Sequence, residues 1–382
     1  MSDDNSITKT VPKFSLPPEG LRVLMAAGAT GGHIMPALTV AKLLESTFPG
    51  TKIVFVGTGR PAEETILGPL NYRRLNLNMT GIKGQGLGAV PGALWRAFKG
   101  LLACIDLVRT FKPHLGLVTG GYVAGPAGLA VKLSGTPLIL HEQNSLPGLT
   151  NRLLGNIADL ILVAFPEAKE KFSQKKTRLV GNPVRPEIIS LGDENRDFTA
   201  EPLVILILGG SQGSKKLNQA AMALAEFLLK CGIKFKLIHQ TGTAMEEEVK
   251  ATYRRLEIEA QVGAFFPDME NIYRSSHLAV TRAGALTIFE LAAARVPAIL
   301  VPLPTAADDH QTLNACALAK TGAAEVVEEK HLELLNETVQ SIIQVPGRLQ
   351  AMHQAGVGAL KAMGEQDPDQ IVRLLVSLVR SN

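Results

Sequence analysis

The chain has little of what marks several large classes of protein. Its three cysteines, Cys104, Cys231 and Cys316, are odd in number and far apart, so the sequence predicts neither a disulfide framework nor a zinc site. A reduced, cytosolic protein is the simplest interpretation. The 13 Phe, 4 Tyr and 1 Trp are too few for stacking along single strands, and a net charge of +4 is a small basic excess. We therefore expect no nucleic-acid partner.

Long apolar runs are also missing. The longest uncharged stretch, residues 113–131, is interrupted by glycine and proline, so no membrane-spanning helix is predicted. Residues 1–19 are polar and lack the basic start and apolar middle of a signal peptide, and we expect them to be a disordered leader. Hydrophobic residues nonetheless make up 46% of the 382 positions, enough for the cores of two domains.

One pattern occurs twice: a short apolar strand, a glycine-rich turn and an amphipathic helix. Residues 21–27 form the first strand, and its helix is predicted to begin near Pro36; residues 203–208 form the second, followed by a helix over 217–229. Further apolar strands are predicted at residues 52–56, 115–119, 138–141, 159–164, 235–240, 278–281 and 298–302. Apolar strands alternating with helices are typical of parallel sheets covered on both faces.

The fold class is therefore predicted to be α/β, with two Rossmann-like, doubly wound parallel-sheet domains separated by a cleft. We place the first domain at residues 20–185 and the second at 186–368, and expect a C-terminal helix, 369–382, to pack back on the first. Ligands of such sheets lie beyond the carboxyl ends of the strands, so the functional residues are sought there.

Glycine turns follow four of the predicted strands, at residues 28–32, 120–122, 209–213 and 283–285. A turn of this kind lets backbone N–H groups approach an anion at the start of a helix, although it also permits close strand–helix packing. The first turn is not Gly-x-Gly-x-x-Gly, and no Gly-x-x-x-x-Gly-Lys-Ser/Thr is present, which disfavours a nicotinamide cofactor and a P-loop nucleotidase. The remaining candidate ligand is a nucleotide diphosphate held across the cleft.

The fourth turn is the most informative. Gly284 is predicted to open a helix whose free N–H groups could face a diphosphate, and Glu290 could accept hydrogen bonds from both ribose hydroxyls of that nucleotide. Glu290 could equally serve only to complement the helix dipole. Gln311 and Asn314 follow the strand at 298–302 and suit sugar hydroxyls, but the same region reads as a solvated loop capped by an aspartate. No metal site is predicted.

Two further places carry candidate chemistry. His141-Glu142-Gln143-Asn144 ends a strand, and four consecutive polar residues are not expected in the core. His33 follows the first glycine turn near a helix start, where the dipole disfavours the imidazolium and keeps the ring neutral. A neutral imidazole there is a candidate general base, although a lone histidine is more often structural.

Six strings together resemble the MurG family, the bacterial peptidoglycan N-acetylglucosaminyltransferases. They are Gly28-Ala29-Thr30-Gly31-Gly32-His33, Gly120-Gly121-Tyr122-Val123-Ala124-Gly125-Pro126, His141-Glu142-Gln143-Asn144, Gly181-Asn182-Pro183-Val184-Arg185, Gly209-Gly210-Ser211-Gln212-Gly213 and Arg282-Ala283-Gly284-Ala285-Leu286-Thr287. The resemblance implies an inverting glycosyltransferase of the GT-B type. It would move N-acetylglucosamine from UDP-GlcNAc to the muramoyl sugar of undecaprenyl-linked lipid I and so form lipid II.

The resemblance also implies the site. The UDP-GlcNAc donor would contact Thr30, Gly31, Gly32, Asn144, Arg185, Ser211, Phe266, Ala285, Leu286, Thr287, Ile288, Phe289, Glu290 and Gln311. Phe266 would lie beside the uracil, and Gly120, Gly121 and Tyr122 near the acceptor diphosphate. His33 is the candidate catalytic base and Glu142 the alternative. No cofactor or obligatory metal is implied.

A lipid acceptor implies peripheral binding at the cytoplasmic side of the inner membrane, with other cell-wall synthesis proteins as candidate partners. Leu87, Val90 and Trp95, among basic residues of the segment 81–112, are the candidate lipid contacts. The same segment has a stripe predicted to face the core: Leu94, Phe98, Leu101, Ile105 and Val108.

Three other functions are compatible with the twin architecture. A sugar-nucleotide 2-epimerase would convert the donor without any lipid, and a glycolipid transferase would prefer diacylglycerol as its acceptor. A non-catalytic sugar-nucleotide sensor would not need His33 and the second glycine turn at the cleft.

Overall fold

The structure is a computed structural model that describes residues 20–28, 31–79, 90–210, 212–304, 309–364 and 368–379. The predicted leader, residues 1–19, lies outside these residues, as do Thr30, Leu87 and Ser211. Within the described residues, no helix is both long and apolar enough to cross a bilayer.

The first sheet has seven parallel strands in the order β3-β2-β1-β4-β5-β6-β7. Its strands are β1 (Arg22–Ala27), β2 (Lys52–Gly57), β3 (Arg73–Asn76), β4 (Leu115–Gly120), β5 (Leu138–Glu142), β6 (Leu160–Val163) and β7 (Thr177–Leu179). The second sheet has six parallel strands in the order β10-β9-β8-β11-β12-β13. These are β8 (Leu203–Leu208), β9 (Phe235–Gln240), β10 (Ala260–Gly263), β11 (Leu278–Thr281), β12 (Ala298–Leu300) and β13 (Ala324–Val326).

Helices cover both faces of each sheet. They are α1 (Gly31–Thr47), α2 (Pro61–Leu67), α3 (Val90–Phe111), α4 (Ala124–Leu133), α5 (Leu149–Ile157), α6 (Pro166–Lys169), α7 (Pro186–Ser190), α8 (Lys215–Lys230), α9 (Glu246–Arg255), α10 (Met269–Ser275), α11 (Ala285–Ala293), α12 (His310–Ala319), α13 (Leu335–Gln344), α14 (Arg348–Met363) and α15 (Pro368–Val376). The predicted α/β class with two doubly wound parallel sheets is confirmed.

The strands that sequence reasoning missed are β3, β7, β10 and β13, which lie at the outer edges of the sheets. Edge strands pack on one side only, so they need no continuous apolar run. The helix predicted to begin near Pro36 begins at Gly31, and Pro36 lies inside it. The hydrogen bond that this proline cannot donate falls on the carbonyl of Gly32, an exposed residue in the first helical turn, where its loss is tolerated.

Each sheet is sandwiched between two apolar clusters, and α15 takes part in one of the clusters of the first sheet. Ile371, Val372 and Leu375 of α15 are buried there, and α15 packs against α1. The chain thus returns to the first sheet after it has completed the second.

The core stripe predicted in α3 is only half right. Leu94 and Phe98 are 60% and 50% exposed, whereas Cys104, Leu107 and Val108 are buried. The apolar cluster under α3 contains residues of this helix only from Leu101 onward. The helical spacing is regular along α3, but only its second half has a sheet to pack on, so Leu94, Trp95 and Phe98 in the first half are exposed to solvent.

Candidate functional site

Both sheets reverse their strand order beside the glycine turns. In the first sheet the reversal lies between β1 and β4, and in the second between β8 and β11. A crevice opens beyond the carboxyl ends of the strands at such a switch point, and ligands bind there. The four glycine turns follow these four strands, so each switch point is flanked by two of them.

Close packing explains two of these glycines. Gly121 has φ of +78°, and a Cβ there would lie 2.8 Å from the carbonyl oxygen of Gly28 in the first turn. Gly213 has φ of +74°, and its Cβ would lie 2.1 Å from the oxygen of Thr241. At these two positions glycine therefore serves close packing, because a larger residue would separate the neighbouring turns.

His33 lies in the first turn of α1 against the second glycine turn. Its Nδ1 is 3.0 Å from the carbonyl oxygen of Thr119 and 3.2 Å from Oε1 of Gln143. A Cβ on Gly120 would lie 3.0 Å from Cε1 of the ring, so the glycine makes room for the imidazole. Burial lowers the pKa of His33, and nearby His310 acts in the same direction. The ring is therefore neutral at neutral pH.

The tautomer of His33 follows from its partner. A backbone carbonyl can only accept, so Nδ1 carries the proton that is donated to Thr119. Nε2 then holds the lone pair, and it has no hydrogen-bond partner among the described residues. The arrangement presents a neutral base at Nε2.

The polar run at the end of β5 is buried, contrary to expectation. His141, Glu142 and Gln143 are each 1–2% exposed. Burial is tolerated because each side chain is hydrogen bonded. His141 Nε2 donates to the oxygen of Gly181 (3.1 Å), and Gln143 Nε2 donates to Nδ1 and to the backbone oxygen of His141, both at 3.1 Å.

Glu142 organises the loop after β5. Its Oε1 accepts from the backbone N and Nδ2 of Asn144 at 2.9 and 3.2 Å. Its Oε2 accepts from Nδ2 of Asn151 at 2.7 Å and from the N of Gly148 at 3.3 Å. Burial raises the pKa of this carboxyl, and the four donors oppose that rise. With both oxygens occupied, Glu142 is poorly placed to take a proton from a substrate.

Asn314 joins the two halves of the cleft, a role that sequence reasoning missed. Its Oδ1 accepts from the backbone N and Oγ of Ser145 at 3.0 and 2.8 Å, and its Nδ2 donates to Oδ1 of Asn144 at 3.4 Å. Asn314 is fully buried. In the sequence, the feature that points to Asn314 is its place at the end of the polar cluster that follows β12.

Glu290 is buried on α11, and each of its oxygens has one partner among the residues that the structure describes. Oε1 accepts from Nη2 of Arg185 and Oε2 from the hydroxyl of Tyr273, both at 3.0 Å. Burial raises the pKa of Glu290, while the Arg185 guanidinium opposes that rise. Nε of Arg185 is buried with no hydrogen-bond partner among the described residues. Tyr273 had no signal in the sequence.

α11 offers its N-terminus to the second switch point. Gly284 caps it, and the amide of Ile288 donates to the carbonyl of Gly284, which leaves the amides of Ala285, Leu286 and Thr287 for a ligand. The side chains of Ile288 and Phe289 are buried. Of the predicted span, the first three residues are thus the ones whose amides have no partner within the helix.

Phe266, which the resemblance places beside the uracil, follows an exposed phenylalanine in the chain. Phe266 is buried in the core, and its amide donates to Oε1 of Gln240 at 3.1 Å. Phe265 is 44% exposed, so its ring is the one available for stacking. Nε2 of Gln240 also donates to the oxygen of Gly210 at 3.2 Å, which ties this segment to the third glycine turn.

Arg282 anchors the third and fourth turns, and this role was also missed. Its guanidinium donates to Oγ of Ser214 (2.5 Å), to the oxygen of Val301 (3.2 Å) and to Glu329. Ser214 caps α8. Arg282 therefore fixes the start of α8 relative to the ends of β11 and β12.

The remaining predicted residues lie along the same crevices. Gly32 is exposed, Gly31 and Asn144 are half-buried, and Tyr122 is 39% exposed in the second turn. Gln311 accepts from the amide of Leu303 at 3.0 Å through its Oε1. Thr30 and Ser211 lie outside the described residues.

Known proteins similar to this chain agree with this architecture. Residues 23–163 match the glycosyltransferase family 28 N-terminal domain, and residues 204–367 match the family 28 C-terminal domain. The UDP-N-acetylglucosamine–N-acetylmuramyl-(pentapeptide) pyrophosphoryl-undecaprenol N-acetylglucosamine transferase of Aeromonas hydrophila is 41% identical over 81% of this chain and 84% of its own length. The protein of the same name from Chromohalobacter salexigens is 38% identical over 94% of this chain and 97% of its own.

Solved structures give the same result. The crystal structure of MurG from Acinetobacter baumannii has a TM-score of 0.71 and 31% identity, over 94% of this chain and 99% of that one. UDP-GlcNAc 2-epimerase from Neisseria meningitidis, bound to UDP-GlcNAc, has a TM-score of 0.62 at 16% identity, over 93% of this chain and 100% of that one. The second likeness shows the twin-sheet fold alone.

Proposed function

The chain belongs to the MurG family and is a UDP-GlcNAc-dependent N-acetylglucosaminyltransferase of peptidoglycan synthesis, and from that premise we propose how its cleft performs the transfer. The donor is UDP-GlcNAc, and the acceptor is the muramoyl sugar of undecaprenyl-pyrophosphoryl-MurNAc-pentapeptide, lipid I. The product is lipid II.

One observation carries the proposal: a neutral histidine at one switch point and the N-terminus of α11, which has no side-chain cap, at the other. His33 presents a free Nε2 beside the first two glycine turns. The amides of Ala285, Leu286 and Thr287 are open at the second sheet. A base on one side of a cleft and an anion site on the other are what transfer from a nucleotide diphosphate to a hydroxyl requires.

We propose that Nε2 of His33 takes the proton from the acceptor hydroxyl as its oxygen attacks the anomeric carbon. The attack comes from the face opposite the nucleotide, so the configuration at that carbon inverts. UDP leaves as the carbon–oxygen bond breaks, and backbone amides of α11 and the guanidinium of Arg185 stabilise its diphosphate without an obligatory metal. The unpartnered Nε of Arg185 supports this role.

Glu290 fits the ribose of the donor. Each of its oxygens has one protein partner and therefore a second lone pair for a ribose hydroxyl. The exposed ring of Phe265 would stack on the uracil, with the backbone of Phe266 beside it. Gln311, at the start of α12, would contact the sugar hydroxyls. Gly120, Gly121 and Tyr122 would border the acceptor diphosphate.

A lipid acceptor requires access to the membrane, and the first domain has a face that suits it. Trp95 is 58% exposed on α3, Leu133 is exposed on α4, and Leu149 and Leu153 are exposed on α5. These three helices pack in sequence, α3 against α4 and α4 against α5. Nζ of Lys99 lies 5.3 Å from the centre of the Trp95 ring. Exposed apolar side chains beside a basic residue favour peripheral binding to anionic bilayers, and we propose this role for these helices at the cytoplasmic side of the inner membrane.

Sedimentation with anionic liposomes tests that face. We expect the double variant Trp95→Asp, Leu153→Asp to remain in the supernatant while the unaltered protein pellets. Leu229→Asp, an exposed leucine of α8 on the second domain, is the matched control and should pellet normally. Normal pelleting of the double variant would place the membrane contact elsewhere.

The reaction itself is tested with labelled UDP-GlcNAc and short-chain lipid I. We expect a lipid-linked disaccharide, and no conversion of the donor when lipid I is left out. Donor converted to an epimer without lipid would instead indicate a 2-epimerase, and a preference for diacylglycerol would indicate a glycolipid transferase. His33→Gln should lower kcat by about 10²–10⁴-fold, the usual contribution of a general base.

A further inference from the structure

A continuous chain of hydrogen bonds runs from His33 into the interior of the first domain. Nδ1 of His33 meets Oε1 of Gln143 at 3.2 Å, Nε2 of Gln143 meets Nδ1 of His141 at 3.1 Å, and Nε2 of His141 meets the oxygen of Gly181 at 3.1 Å. Gln143 and His141 are 1% and 2% exposed. Neither takes part in the mechanism described above.

Backbone carbonyls fix the direction of every bond in this chain. The carbonyl of Gly181 can only accept, so Nε2 of His141 carries a proton and its Nδ1 accepts from Gln143. The backbone oxygen of His141 also accepts from Nε2 of Gln143, which sets the orientation of the amide. Oε1 of Gln143 must then face His33, where it accepts from Nδ1 together with the carbonyl of Thr119. Each assignment agrees with the next.

We propose that Gln143, oriented by His141, is a positioning residue that acts together with the carbonyl of Thr119 to hold the proton of His33 on Nδ1, and so keeps the lone pair on Nε2 for the acceptor hydroxyl. This inference rests on the proposed role of His33. A histidine that could exchange tautomers would present an N–H in place of a lone pair for part of the time, and that form cannot act as a base.

The backbone around Gln143 supports a fixed geometry. Nδ2 of Asn182 donates to the oxygen of Gln143 at 3.1 Å, next to the Gly181 carbonyl that ends the chain. Two titratable groups bear on the His33 ring, His310 and His141, and Glu142 of the same strand is engaged by other partners. His310 of α12 lowers the pKa of the ring, His141 reaches the ring through Gln143, and Glu142 is held by Asn144, Gly148 and Asn151. The hydrogen bond from Nδ1 to Gln143 favours the charged ring and so opposes the lowering by burial.

The tautomer is measured directly in the unaltered protein. In long-range ¹H–¹⁵N correlation spectra of histidine-labelled protein, the His33 signals are those lost in the His33→Gln variant. We expect an N–H type shift for Nδ1 and a lone-pair type shift for Nε2 at neutral pH. The opposite pattern, or rapid averaging of the two, would overturn the proposal. This measurement needs no substrate, so it stands apart from any failure of the proposed reaction.

Kinetics then test whether the positioning matters. Gln143→Leu removes one acceptor from Nδ1, and we expect kcat to fall about tenfold, while KM for UDP-GlcNAc changes less than about twofold. The acid limb of the pH–rate profile should move to lower pH, because the lost hydrogen bond had favoured the protonated ring. Loss of stability alone would not move that limb.

Tyr253→Phe is the matched control, since it removes the 2.8 Å partner of another buried histidine, His239, in the second domain. It should lower thermal stability and leave kcat and the pH profile unchanged. If Gln143→Leu behaved like this control, Gln143 would be a structural residue only. If His33→Gln kept full turnover, the assignment of His33 as the base would be wrong, whatever the effect of Gln143→Leu.

Discussion

Glu142→Gln separates the two candidate bases, because the structure gives this carboxylate a structural role. Its two oxygens accept four N–H donors, two each. A glutamine keeps one oxygen, but its NH₂ group would face the other two donors. Hydrogen bonds to a charged group are worth about 1.5–3 kcal/mol each, so two lost bonds cost about 3–6 kcal/mol.

Removal of the buried charge offsets part of this cost, since burial already raises the pKa of Glu142. We therefore expect a net loss of about 3 kcal/mol in the free energy of unfolding, or about 6–12 °C in the Tm of a domain of this size. Urea denaturation followed by circular dichroism measures it. Glu64→Gln is the control, because Glu64 forms an exposed ion pair with Arg74 at 2.8 Å that is worth less than about 1 kcal/mol.

The same variant predicts a kinetic pattern. A loosened loop at residues 144–148 should raise KM for UDP-GlcNAc, while the acid limb of the pH–rate profile, which belongs to His33, stays in place. Because the pKa of His33 lies below 6.5, activity should fall only as the pH drops below that value. Unchanged stability of Glu142→Gln with loss of that limb would refute the reasoning and make Glu142 the base.

Two further predictions concern contacts that bridge distant parts of the chain. Asn314→Ala leaves the buried N and Oγ of Ser145 without their acceptor, which costs about 1–3 kcal/mol for each group. Small-angle X-ray scattering should therefore show a more open molecule, and KM for UDP-GlcNAc should rise. An unchanged scattering profile would contradict a bridging role for Asn314. Burial lowers the pKa of His141 to about 4. The unfolded chain therefore binds one proton more than the folded one between pH 6.5 and about 4, and stability should fall by about 1.4 kcal/mol per pH unit as the pH drops through that window. In His141→Asn the dependence of stability on pH should be smaller by this amount. An unchanged dependence would mean that other groups cause it.

Much of the fold could be predicted from local pattern. The central strands are short apolar runs, and β1, β8 and their neighbours were found to within a residue or two. The edge strands were not, because a strand such as Arg73–Asn76 is mostly exposed and has no apolar run. The glycine turns were also evident, because glycine follows an apolar strand within a few residues at each of them.

The exposed half of α3 shows the limit of periodicity. Leu94 and Phe98 have the same helical spacing as the buried residues further along the helix, and only the position of the sheet beneath α3 separates the two sets. A pattern in sequence specifies which face of a helix is apolar. What covers that face is decided by the elements that pack against it.

The sequence by itself determined the central strands, the four glycine turns and the family motifs, because each depends on residues close together along the chain. The tertiary structure alone decided what those residues do. His33 meets Gln143 across 110 positions, and Asn314 meets Ser145 across 169. The tautomer of His33, the four hydrogen bonds of Glu142 and the contact of Asn314 with Ser145 each depend on which donors and acceptors lie close together in space. The order of the strands in the two sheets determines which of these groups meet.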